Sequence, residues 1–282
     1  MRIGVSGASG QLGKAVLAEL KVRGAGHDIV GISRTPSAVE PPAEARPGDY
    51  DRPETLVAAY RGLDRLLIIP SHDVRPGVRD RHFVAAIDAA VAAGVDQIVM
   101  ISSAATRETA MSAMYAPYYV GEQHLMRVAP HWTILRMNYY AETFAQMVPM
   151  GLRSGILPGI AENRVAFVSR DDLAAAAAGI LVGEGHAGAI YNATGPTALT
   201  GAERAALASE VTGRTLRFAV LDEAGLRLGL GQAGIEAQYV DALVDIEKSY
   251  VQGCFDIVTG DVERLAGRSP RSLREVLLER LS

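Results

Sequence analysis

The stretch Gly7-Ala8-Ser9-Gly10-Gln11-Leu12-Gly13 constrains this chain more than any other. It follows directly on the short apolar run Ile3 to Ser6 and leads into a helical pattern of Leu12, Val16 and Leu20. A strand that ends in a tight turn and opens a helix aims several backbone N–H groups and the positive helix end at one point, where a pyrophosphate can sit. In that geometry Gly7 makes the turn, Gly10 lets the backbone approach phosphate, and Gly13 lets the helix pack close to the sheet. Ser9, Gln11 and Leu12 fill the loop between them and are assigned to the same site. A glycine triplet alone is weak evidence. This one has a strand before it, an amphipathic helix after it and a second strand pattern at Ile29 to Ser33, which is the context of a dinucleotide-binding turn.

The alternation continues through the first half. Leu66 to Ile69, Gln97 to Ser102 and Thr133 to Met137 are further short apolar runs, as strands covered on both faces should be. Between them Phe83, Ala86, Ile87, Ala90 and Val91 recur at helical spacing, and Gly24 and Gly94 stand where helices should stop. The pattern predicts an α/β fold, a doubly wound parallel sheet of Rossmann type. Pro41, Pro42 and Pro47 crowd the segment before Gly48-Asp49-Tyr50, so the third strand is expected to be short and edge-like. After residue 140 the order changes to a helix near Thr143 to Leu152, a strand at Val165 to Val168, a helix from Asp171 and a strand at Ala189 to Ala193. Three helical patterns then follow, at Ala202 to Thr212, Asp222 to Leu230 and Ile235 to Tyr250. The expected organisation is a dinucleotide-binding domain over 1–140, to which 165–195 return, and a smaller, mainly helical substrate-side unit over 141–164 and 196–282.

The end of the second strand separates the two nicotinamide cofactors. An NAD site places an acid there to take the ribose hydroxyls, whereas an NADP site omits the acid and offers a cation to the 2′-phosphate. Here the chain reads Gly31-Ile32-Ser33-Arg34-Thr35. A guanidinium binds a phosphate through two hydrogen bonds, and no carboxylate stands in that run to repel it, so the expected cofactor is NADP(H).

Composition narrows the partners. With 282 residues, 49% of them hydrophobic, and a formal net charge of −4, the chain can bury a large core and carries no basic field for nucleic acid or anionic lipid. A small molecule is the expected partner, and self-association as a homodimer is left open. Met1 runs straight into the first strand pattern, so no export signal is expected. Leu173 to Leu181 is too short to span a bilayer. The one cysteine, Cys254, cannot form an internal disulfide, which fits a cytoplasmic setting. The histidines at 27, 72, 82, 124, 131 and 186 show no paired metal-ligand spacing, and no glycine-flanked serine elbow suggests a hydrolase.

The chain resembles an atypical short-chain dehydrogenase/reductase of the NmrA-like group, close in pattern to bacterial NAD(P)H:quinone oxidoreductases and triphenylmethane reductases. The resemblance rests on the loop at 7–13, Ser33-Arg34-Thr35-Pro36, Gly48-Asp49-Tyr50, Ile134-Leu135-Arg136 with Asn138, and Ser169-Arg170-Asp171-Asp172-Leu173. It implies that Asp49 and Tyr50 flank the adenine and that Ile69-Pro70-Ser71 passes beneath the cofactor. It also implies that Ser102 or Ser103 faces the nicotinamide and that Asn138 belongs to the cofactor site. The activity implied is NADPH-dependent hydride transfer to a small planar conjugated acceptor such as a quinone. Two other roles stay open: a non-catalytic NADP(H) sensor, or a reductase or isomerase of a specialised biosynthetic intermediate.

One departure matters. Better-known short-chain reductases carry a tyrosine and, four residues later, a lysine whose charge lowers the phenol pKa. Here Tyr118 and Tyr119 stand on the corresponding helix, and Gln123, which carries no charge, sits four residues after Tyr119. Tyr118 or Tyr119 remains the expected proton donor, with Gln123 beside it. Tyr115, Tyr139 and Tyr140 suit the wall of a pocket for an aromatic acceptor. The methionines at 111, 114, 126, 137, 147 and 150 cluster in the same stretch.

Overall fold

A computed structural model describes residues 1–108 and 114–281, so Met111 lies outside the described residues. The chain begins β1 (Arg2–Ser6), α1 (Gln11–Arg23), β2 (Asp28–Ser33), β3 (Glu44–Pro47), α2 (Leu56–Tyr60), β4 (Arg65–Ile68), α3 (Val78–Ala92), β5 (Gln97–Ser103), α4 (Ala116–Val128) and β6 (His131–Met137). It continues α5 (Ala141–Ser154), β7 (Ile156–Gly159), β8 (Arg164–Val165), α6 (Arg170–Val182), β9 (Ala189–Ala193) and β10 (Leu199–Thr200). The last elements are α7 (Gly201–Thr212), β11 (Arg217–Val220), α8 (Glu223–Gln232), α9 (Ala237–Val251), α10 (Asp261–Ala266) and α11 (Leu273–Leu281).

Two compact units result. The first comprises Met1–Met137, Asp171–Ala193 and Asp261–Arg268, and the second comprises Asn138–Arg170, Thr194–Gly260 and Ser269–Ser282. In the first unit seven strands pair in the order β3-β2-β1-β4-β5-β6-β9, every pair parallel. This is the doubly wound arrangement, with its order reversing between β1 and β4. Central strands read as apolar runs because helices cover both faces: Ile3, Val5, Leu66, Leu67, Ile98, Val99, Ile134 and Leu135 are fully buried. Proline cannot donate to a ladder, and β3, which ends in Pro47, pairs with β2 alone at the sheet edge.

The segment Asp261–Arg268, which the sequence reading placed in the smaller unit, packs in the first. A Cβ on Gly179 of α6 would lie 2.0 Å from the Leu265 carbonyl oxygen, so the close seating of α10 requires glycine there. Asp172, fully buried at the start of α6, is tied by Arg268, and the Asn192 N–H donates to Asp261 at 2.8 Å.

The second unit is helical with two small sheets, β11 parallel to β7 and β10 antiparallel to β8. The strand expected at Val165 to Val168 is cut to Arg164–Val165, and the chain then runs as buried irregular structure in which Val168 bridges Tyr140. Leu226, Leu230 and Val244 form one core cluster of this unit. Among the described residues no helix is long and apolar enough to cross a membrane.

Candidate cofactor and active site

The turn between β1 and α1 shows why its residues are glycine. Gly7 has φ +90°, in the left-handed region that a side chain disfavours. A Cβ on Gly13 would lie 2.3 Å from the Gly7 carbonyl oxygen and 2.7 Å from the Ala8 Cα, so what Gly13 makes room for is the turn itself. The N–H groups of Gly7 and Ala8 both donate to the Ile32 carbonyl at 3.0 Å, which pins the turn to β2. Gly10, exposed, caps α1 without a side-chain hydrogen bond. The N–H groups of Gln11, Leu12 and Gly13 therefore have no acceptor within the helix and no capping side chain. Gln11 is exposed and Leu12 is buried under the turn. A glycine turn followed by helix N–H groups that lack an acceptor within the helix fits a pyrophosphate.

Ser9 ties the turn to the end of β2. Ser33 Oγ donates to Ser9 Oγ at 2.7 Å and accepts the Thr35 N–H at 3.0 Å, which fixes the chain on both sides of Arg34. Arg34 itself stays exposed, its nearest acid being Asp51 at 3.9 Å. Asp49 receives the Asp51 N–H at 3.1 Å and gives its own N–H to Thr55 Oγ1 at 3.0 Å. Tyr50 turns inward. Its hydroxyl donates to the Ile69 carbonyl at 3.0 Å and lies 2.9 Å from the Ser6 hydroxyl, so it braces β1 against the end of β4. Burial raises the Tyr50 phenol pKa.

The loop after β4 carries Ile69, Pro70 and Ser71. Two buried side chains of α3, absent from the sequence reading as site residues, hold it. Arg79 Nε donates to the Ser71 carbonyl at 3.0 Å and its Nη1 to the Met114 carbonyl at 3.1 Å. His82 Nδ1 lies 2.9 Å from Ser71 Oγ. Both occupy the helical stripe that Phe83, Ala86, Ile87 and Ala90 mark as buried. Polar residues on an apolar stripe were the available signal.

At the end of β5 the polar side chains are bonded to one another. Ser102, fully buried, donates to Glu122 at 2.5 Å, and Arg136 grips the same carboxylate at 2.9 and 2.6 Å. Ser103 accepts the Ala105 N–H at 3.2 Å in a local turn. On α4 Tyr118 and Glu122 face inward while Gln123 is exposed and Tyr119 is half-buried. Tyr118 packs its ring 5.7 Å from Phe83 and carries the Arg79 guanidinium 5.4 Å from its centroid. Burial raises its pKa despite that cation. Tyr115 is buried, with Arg107 5.7 Å from its ring.

Asn138, Tyr139 and Tyr140 belong to the second unit. Asn138 is buried and commits its amide locally, donating to the Phe255 carbonyl at 3.1 Å and accepting the Tyr139 N–H at 2.8 Å. Tyr139 meets Tyr250 and Phe255 edge-on at 5.4 and 6.1 Å. Tyr140 opens α5, with Arg170 5.2 Å from its ring.

Comparison with known proteins agrees with this geometry. Residues 7–183 match the NAD(P)H-binding family, and the chain belongs to it. Quinone oxidoreductase 2 of Escherichia coli is 29% identical over 278 residues, covering 97% of this chain and 96% of that protein. An NADPH-dependent quinone oxidoreductase from Escherichia coli, solved with NADPH, superimposes with a TM-score of 0.92 at 28% identity, covering 99% and 100% of the two chains. The triphenylmethane reductase of Citrobacter sp., solved with NADP(H), gives 0.90 at 26% identity over 99% and 100%.

Proposed function

We propose that this chain is an NADPH-dependent reductase that transfers a hydride to a small planar conjugated acceptor such as a quinone. The observation that carries the reading is the glycine cradle of Gly7, Gly10 and Gly13 with the exposed cation Arg34 held at the end of β2. End-to-end likeness to an NADPH-dependent quinone oxidoreductase and to a triphenylmethane reductase solved with NADP(H) supports it. In this reading the N–H groups opening α1 take the pyrophosphate, Arg34 takes the 2′-phosphate, and Ser71 supports the cofactor from below. NADPH, when bound, supplies the hydride. The chain's own part is orientation and exclusion of water, since a quinone accepts hydride readily once stacked.

Of the two tyrosines considered for proton donation, Tyr119 is the one with an exposed portion, and it takes that role here. Its neighbour Tyr118 is committed to packing. The absence of a transmembrane helix among the described residues suits a cytoplasmic reductase working on a diffusible substrate.

The test is consumption of NADPH by the purified chain, followed through nicotinamide absorbance, against a panel of quinones, triphenylmethane dyes, azo dyes and enones. Steady turnover with at least one class is expected. Tight NADPH binding with no turnover across the panel would remove the enzymatic reading and favour a sensor of the cofactor's redox state.

A further inference from the structure

The corner occupied by Arg34 contains a second, opposing charge. We propose that Asp51 is a specificity-determining residue that lets the same site take NADH and holds down its preference for NADPH. This rests on the reading of the end of β2 as the ribose corner of a nicotinamide cofactor site.

Asp51 is anchored from beneath and open above. Its N–H donates to Asp49 Oδ1 at 3.1 Å, and its Oδ1 lies 3.0 Å from His82 Nε2. An ionised carboxylate only accepts hydrogen bonds, so Nε2 carries the proton. The other ring nitrogen lies 2.9 Å from the Ser71 hydroxyl, within hydrogen-bond reach. His82 is 7% exposed and its ring stands 5.8 Å from that of Tyr50, so it cannot swing out without breaking the packing of α3. The remaining Asp51 oxygen, Oδ2, points to Arg34 Nη1 at 3.9 Å, and both side chains are more than half exposed, at 53% and 61%. One histidine thus ties the loop after β3 to the loop after β4 and fixes a carboxylate beside the cation.

The chemistry of this pair is two-sided. A free ribose 2′-hydroxyl donates to a carboxylate, which is why NAD sites carry an acid at this corner. The run Ser33-Arg34-Thr35 has none, and Asp51 supplies one from a different loop. A 2′-phosphate instead prefers the guanidinium, is repelled by the carboxylate, and competes with it for Arg34. Arg34 therefore favours one cofactor while Asp51 favours the other.

Asp51→Asn isolates the charge, because the amide keeps an oxygen to accept from His82 Nε2. Wild type and variant are titrated with NADPH and with NADH, reading nicotinamide fluorescence at low salt. Removing an exposed like charge should tighten NADPH binding by ~3–10-fold. NADH binding should weaken, so the ratio of the two dissociation constants widens from both sides, and an unchanged NADH affinity would remove the claim that Asp51 admits NADH. Screening at high salt should shrink the NADPH gain to less than ~2-fold. If the substitution weakens NADPH binding, or moves both cofactors equally, the proposal is overturned and the cofactor reading stands. If wild type binds neither nucleotide, the cofactor reading itself fails and the proposal fails with it.

Discussion

The β1–α1 turn and the β5–α4 region both lie in the first unit, at the carboxyl ends of two parallel strands with β4 between them, yet they treat their polar groups in opposite ways. At the turn, backbone N–H groups opening α1 have no internal acceptor, and Arg34 is exposed. At the end of β5, Ser102, Glu122 and Arg136 satisfy one another inside the protein. A group left unspent at the surface is available to a ligand, whereas one spent in the core holds the scaffold. The serine at the end of β5 is bonded into this cluster, its hydroxyl donating to Glu122.

The largest effect should follow from breaking the spent cluster. Glu122→Ala strands the buried Ser102 and the part-buried Arg136, whose side chain is 29% exposed, and losing their shared carboxylate is expected to cost about 3 kcal/mol of stability. Denaturant unfolding reads the loss. NADPH affinity of the remaining folded protein should stay within about 2-fold of wild type, because none of the three touches the turn. A large loss of affinity with unchanged stability would reverse the assignment of the two regions.

Glu247 in the second unit sharpens the contrast, because it is unspent and buried at once. It is 9% exposed, its Oε2 has no hydrogen-bond partner, and burial pushes its pKa up to about 7 from an ordinary 4.5. The backbone of Ile160 and the nearby Arg204 charge oppose that rise without cancelling it. A folded pKa above the unfolded one means the native state holds the proton longer. Stability from this group is thus full below about pH 4.5 and falls as pH rises through about 7, by up to ~3 kcal/mol. Glu247→Gln should flatten that fall, measured as unfolding free energy at pH 5 and pH 8. An unchanged pH slope would show that Glu247 is ionised and paired in the folded protein.

The open region is sensitive to volume. Gly13→Ala sets a methyl where 2.3 Å separates it from the Gly7 carbonyl oxygen, and backbone is all it meets. The turn must shift, at about 1–3 kcal/mol of stability, with NADPH affinity falling by at least ~10-fold because the N–H groups no longer converge. Thermal unfolding and cofactor titration separate the two losses. Intact affinity would mean that the cradle tolerates distortion and that Arg34 alone carries binding.

How much of this was legible in the sequence follows the same division. The turn was legible because its chemistry is local: glycines at 7, 10 and 13 act on backbone within a few residues. Arg34 was legible because the end of β2 lies at a fixed offset from the turn. The sheet was legible from its apolar runs, and the edge position of β3 from its prolines. Less visible were bonds between distant positions, such as Asn138 to Phe255 and Arg79 to Ser71 and Met114. The fate of Ser102 depended on Glu122, twenty residues on, and no periodicity says which polar residues on facing elements will meet. The same is true of α10, whose return to the first unit rests on Gly179 and Asp172.

The smallest expected effect is also the most direct test of how α4 works. Tyr118 sits on the spent side, packed by Phe83 and Arg79 with its phenol pKa raised by burial. A phenol that resists ionisation and is walled off from water is poorly placed to donate a proton and be recharged. Tyr118→Phe keeps the ring and its contact with the guanidinium, so stability should change by less than ~1 kcal/mol. With the best acceptor, kcat should stay within ~2-fold, whereas loss of a general acid is worth 100-fold or more, roughly 10²–10⁴. A loss of that size in Tyr118→Phe, with Tyr119→Phe unaffected, would move the proton donor into the buried cluster. The line between spent and unspent groups would then fail at the residue where the lysine's absence first raised the question.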